Sequence, residues 1–271
     1  MANIVVNKKE FAAGLVLAVV IAMLVMVGWL PLANAVGLLG VACLAWFFRK
    51  EGLNRWIKIG VFLCLVPLVF WVATYRPEGF SYPLALSLPG NTEGAPCFEL
   101  FVNLSKAIVG FCLLFFLWPR LRSDEFIASP IYSFLAALLA PALIVAIAIP
   151  VLELHWQPKP VAQMAAFAMV NLFVIASAEE AFMRLLLQQS LRNAVAKVSA
   201  HRWLQELFPL LVVTVIFVAI HAGLSGAAVW VYALAGFLYG LNYTLSKSIL
   251  YPIMIHFWVN QLHFSLLTYP L

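Results

Sequence analysis

The sequence predicts an all-α, polytopic integral membrane helical bundle of about eight to nine transmembrane helices. Three observations predict it. Of 271 residues, 65% are hydrophobic and only 10% carry a formal charge, whereas a soluble domain is nearer half apolar and a quarter charged. The apolar residues fall into runs close to the roughly 20 residues that cross a bilayer as a helix. The basic residues cluster between alternate runs, as the positive-inside rule requires. Sixteen Lys+Arg and eleven Asp+Glu are too few to coat a soluble core of this size. A soluble enzyme, a disordered chain and a disulfide scaffold are thereby excluded. The net charge of +5 is small and scattered. It points to orientation in a lipid bilayer and to no nucleic-acid partner.

Nine runs qualify in order: 11–30, 32–48, 59–75, 101–118, 131–151, 161–191, 207–221, 226–245 and 249–267. The second and seventh are short, and the first two could form one re-entrant pair. Lys8-Lys9, an apolar run and Ala33-Asn34-Ala35 have a signal-peptide look. The run, however, is about twice the usual h-region length, so a retained helix is expected. With the N-terminus in the cytoplasm, nine crossings put twelve of the sixteen basic residues inside, among them Arg49, Lys50, Arg120, Arg122, Arg192 and Lys247. Arg76, Lys159 and Lys106 fall outside, and Arg184 lies within a span. The expected location is the cell (inner) membrane of a prokaryote, N-terminus inside.

The connection 76–99 is long and rich in Pro and Gly, with Glu78, Glu93 and Glu99. It reads as a solvated outer loop, or as a lid or substrate-docking element. Cys43, Cys64 and Cys112 sit in apolar runs as small hydrophobes. Cys97 lies in the outer loop, and none of the four has metal-ligand spacing. No internal repeat supports an inverted-repeat transporter. The organisation expected is a membrane region, 1–126, followed by a second membrane region, 127–271, that carries the chemistry.

Ionisable residues inside a bilayer are costly and mark function by default. Here they gather in the last spans. Glu179 and Glu180 are adjacent and point about 100° apart on a helix. Glu180 and Arg184 are i,i+4 with the acid first, the favourable order for an ion pair. Glu179 has no cation one turn away, and a carboxylate held in a dry site could act as a base near neutral pH. Phe217 and His221 share a helix face, as do His256 and Asn260. Each pair alone could be packing or interhelix hydrogen bonding. Together they lie at similar depths, roughly 10–21 Å from the cytoplasmic ends of successive helices by the helical rise. A base, two imidazoles and an amide donor are the parts needed to add water to a carbonyl.

Glu-Glu-x-x-x-Arg, Phe-x-x-x-His and His-x-x-x-Asn, in that order on successive helices, resemble the CAAX prenyl protease type 2 and bacteriocin-processing (CPBP, or Abi) family of glutamic-type intramembrane proteases. The resemblance covers about 127–267. It implies Glu179 as the base that activates water, assisted by His221. It implies His256 and Asn260 as the oxyanion-stabilising pair, with Glu180 and Arg184 as the remaining motif positions that hold Glu179. Phe217 would pack beside His221. The partner implied is a protein or peptide substrate with a membrane-associated C-terminal tail.

No cofactor is expected. Two Glu and two His could bind zinc, so a zinc-dependent intramembrane protease is the local rival, although no His-Glu-x-x-His helix is present. A non-catalytic immunity or scaffold protein and a proton-coupled transporter are the readings from other classes. His263 is expected to be structural, and His155 and His201 have no role. Gly236-x-x-x-Gly240 is a small-xxx-small element that should allow close helix packing.

Overall fold

The computed structural model describes residues 8–50, 52–89, 97–118, 129–221 and 226–269, with the backbone alone at residue 9. Arg120, Arg122, Gly90, Glu93, Gly94, Pro96 and the boundary expected at 126/127 lie outside these residues. Nine helices occur among them: α1 (Lys8–Met26), α2 (Leu32–Phe48), α3 (Arg55–Thr74), α4 (Leu104–Leu117), α5 (Pro130–Val151), α6 (Val161–Val195), α7 (Arg202–Ile220), α8 (Ala228–Ser246) and α9 (Leu250–Leu266). One small two-stranded sheet, β1 (Leu84–Leu88) and β2 (Phe98–Phe101), forms in and just beyond the connection read as a solvated loop or a lid.

The chain is an all-α integral membrane protein. Five helices, α3, α5, α6, α7 and α8, are long and apolar enough to cross a bilayer. That is fewer than the eight to nine crossings expected. α2 and α4 are apolar but only 17 and 14 residues long, and α9, also 17 residues, carries His256, Asn260, Gln261 and His263. Leu135, Leu138, Leu139 and Leu143 of α5 point outward, as do Leu211 and Val215 of α7. An exposed apolar face of this kind suits lipid tails and not water.

Two compact units divide the chain, residues 1–84 with 101–117, and residues 85–100 with 118–271. In the first unit a buried Asn34 stitches the helices. Its Nδ2 donates to the carbonyls of Val72 and Tyr75 and to Ser105 Oγ, all at 3.0–3.1 Å. Tyr82 Oη meets the same Ser105 hydroxyl at 2.7 Å. Asn103 caps α4 by accepting from the Lys106 backbone N–H. Arg49 and Lys50 pair with Glu10 of α1, and Trp46 Nε1 donates to the same carboxylate.

The second unit holds every residue singled out for chemistry. Its axis is α6, a 35-residue helix that is π-helical over Asn171–Ala176 and again over Ala181–Gln188. Between the two lies one α turn, Ser177–Glu180. π-bulges are uncommon and recur at functional sites. In a pure α-helix a four-residue step overshoots a full turn by about 40°, and the wider π turns offset that drift. Glu180, Arg184 and Gln188 consequently form one buried row facing α8. At the far end of α9, backbone bonds from Gln157, Lys159 and Thr268 tie the segment before α6 to the segment after α9. Phe98, Phe167, His263 and Phe264 gather around Tyr269 there.

Candidate active site

Glu180 is completely buried, and a buried charge needs partners. It has two. Arg184 Nε donates to Oε2 at 2.8 Å, and His256 Nδ1–H donates to Oε1 at 2.9 Å. The i,i+4 ion pair expected from the spacing is formed. Arg184 is also completely buried, and its other nitrogens donate to Gln188 Oε1 at 3.0 Å and the Gly236 carbonyl at 3.4 Å. Gln188 in turn donates to the Gly240 carbonyl and to Thr244 Oγ1. A chain of polar groups thus runs from His256 through α6 into α8, with each buried member satisfied.

Glu179 faces elsewhere. Its side chain is 23% exposed, and Oε2 lies 3.8 Å from His256 Nε2. One imidazole therefore stands between the two carboxylates. It binds Glu180 through Nδ1 and turns Nε2 toward Glu179. Tyr239 stacks on the imidazole with centroids 5.0 Å apart, so the ring plane is held as well.

Phe-x-x-x-His acquires a physical meaning at the end of α7. The His221 backbone N–H turns back to Val218 O at 3.0 Å. The Phe217 carbonyl, which a continuing helix would have engaged, accepts from His221 Nδ1 at 2.7 Å instead. A carbonyl only accepts, so Nδ1 carries the hydrogen, and in the neutral ring the lone pair lies on Nε2. Tyr232 stacks on this ring at 4.6 Å, and Phe217 lies between the two histidines, with ring centroids 4.7 Å from His221 and 6.3 Å from His256.

Asn260 points to a residue that the motif reading omits. Its Nδ2 donates to Asn171 Oδ1 at 3.1 Å. Asn171, fully buried in the first π stretch, donates its own Nδ2 to the Phe257 carbonyl at 2.9 Å. Glu179, Glu180, Arg184, His256 and, by its ring contact with Phe217, His221 are brought to one place. Asn260 joins the same α6–α9 seam. Asn171, Gln188, Tyr232 and Tyr239 are the participants missed from sequence. The signal that could have found Asn171 and Gln188 is a polar side chain in an otherwise apolar run.

Matches to known families bear on this segment. Residues 161–262 match the Rce1-like family, described as type II CAAX prenyl endopeptidase Rce1-like. This part of the chain is similar to that family. The matched segment opens at the first residue of α6, ends within α9 and contains all three motifs. It is shorter than the 127–267 expected, leaving α5 outside. No curated protein and no solved structure gives a significant match.

Other groups have local explanations. His263 Nε2 meets the Thr268 carbonyl at 3.1 Å, and His201 precedes α7 beside Trp203. Glu206 bridges Arg192 at 2.8 Å and Lys247 at 2.6 Å. Burial pushes the Lys247 ammonium below the usual lysine range, while the Glu206 hydrogen bond and charge push it back up. Among the described residues no three His, Cys, Asp or Glu side chains are grouped to hold a metal ion.

Proposed function

We propose that this protein is an intramembrane endopeptidase of the CAAX protease-like type. Its substrate is a protein or peptide with a membrane-associated C-terminal tail, cut near that tail by glutamate-activated water. The observation that carries the reading is the division of labour between adjacent carboxylates. Glu180 is spent on Arg184 and His256, whereas Glu179 is partly exposed and turned toward His256 Nε2.

Glu179 takes a proton from water, and the water oxygen bonds to the scissile carbonyl carbon. The His221 Nε2 lone pair helps to hold that water. The carbonyl π electrons move onto oxygen, where N–H groups of Asn260 and of protonated His256 receive the oxyanion. Collapse of the tetrahedral intermediate breaks the C–N bond. Glu179 then returns its proton to the departing amine. The protein sits in the cell membrane with its N-terminus in the cytoplasm.

In proteoliposomes with a tail-anchored fluorogenic peptide, Glu179→Gln should lower kcat by roughly 10²–10⁴-fold, the contribution of a general base. Wild-type turnover in that variant would remove the mechanism. Exhaustive chelation should leave the wild-type rate unchanged, and a loss restored by zinc would favour the metal-dependent rival.

A further inference from the structure

We propose that Asn171 is a positioning residue that sets which end of the Asn260 amide faces the reacting carbonyl. The inference rests on the oxyanion role proposed for Asn260. An asparagine amide presents a donor on one side and an acceptor on the other, and nothing in its shape decides which. The decision is made here by a backbone group. The Phe257 carbonyl can only accept, so the Asn171 NH2 must face it, as it does at 2.9 Å. Oδ1 of Asn171 then faces Asn260 and can only accept, so it selects the Asn260 NH2 at 3.1 Å.

One Asn260 N–H is used in this contact and the other is left with a defined direction. A flipped Asn260 would bring two amide oxygens together at Asn171, and would leave no N–H directed at the reacting carbonyl. Without Asn171 the two orientations are no longer distinguished by this contact, and one of them repels an oxyanion. Asn171 is fully buried, so water does not compete for these bonds. Its place in the π stretch Asn171–Ala176 sets it on the seam with α9, eight residues before Glu179. The base and the residue that orients the amide therefore come from the same helix.

The test is a double-mutant cycle on the full chain in proteoliposomes, with kcat and KM measured separately. Loss of an oxyanion donor costs about 10²–10³ in kcat, and Asn260→Ala should fall in that range. Asn171→Leu should lower kcat by about 10–100-fold, a part of that donor's contribution, with KM nearly unchanged. In the Asn260→Ala background the same change should have no further effect on kcat. Asn171→Gln keeps both the donor and the acceptor and should retain more of the rate than Asn171→Leu, whereas Asn171→Asp, which sets an oxygen against the Phe257 carbonyl, should not. If Asn171→Leu does not fold, Asn171→Ala replaces it in the same cycle. An equal loss from the Asn171 substitution in both backgrounds, or no loss while Asn260→Ala is impaired, overturns the proposal. A fully active Asn260→Ala sinks instead the oxyanion role on which it rests.

Discussion

At the scale of the residue, two neighbouring glutamates behave as opposites because their surroundings differ. Glu180 is sealed against Arg184 and His256, so its charge is compensated inside the protein. Removing one partner of a buried pair leaves the other uncompensated, typically at about 3–5 kcal/mol. Glu180→Gln should therefore lower the thermal unfolding midpoint in detergent markedly, whereas Glu179→Gln should unfold close to wild type. Equal midpoints for the two would show that Arg184 does not depend on Glu180. The i,i+4 spacing made the Glu180–Arg184 pair legible in the sequence. The 100° offset made it legible that Glu179 points elsewhere. The place of His256 between the carboxylates was not legible, because it requires a residue 76 positions away to arrive at the right depth.

At the scale of the element, α6 and α8 meet through a glycine row. A methyl group added at Gly240 would stand 2.7 Å from Arg184 Nη1 and 2.5 Å from a Leu210 methyl. At Gly236 it would meet the Phe217 ring at 2.9 Å. Overpacking of this kind costs about 1–3 kcal/mol. Gly240→Ala should lower both the unfolding midpoint and kcat, because the Arg184 row supports His256. Gly60→Ala, on α3 with nothing within 4 Å, is the matched control and should be neutral or slightly stabilising. A Gly240→Ala protein as stable and active as that control would refute the close approach. The small-xxx-small pattern announced a tight helix contact in the sequence. It did not announce that the contact is with a buried guanidinium. The π stretches of α6 had no sequence signature, since hydrophobic periodicity does not resolve a single widened turn.

At the scale of the whole molecule, the orientation proposed from the alternation of basic residues puts the segment near Cys97 outside. Cys97 is exposed. In intact cells, a variant with Cys97 as its one cysteine should react with a membrane-impermeant maleimide without lysis. Labelling only after lysis would reverse the orientation. What the sequence determined by itself was the solvent and the parts. Composition demanded a bilayer, and ordered motifs nominated Glu179, Glu180, Arg184, His221, His256 and Asn260. These are properties of short windows, and spacing along one helix is enough to read them. Only the tertiary structure decided where the parts stand and what each one touches. Glu180 became buried and paired and Glu179 partly exposed, His221 was turned by a helix-end carbonyl, and Asn171 and Gln188 were drawn into the polar seam. The reason is that desolvation is set by neighbours from other helices. A buried polar atom accepts whichever partner the packing brings, however far away it lies in the chain.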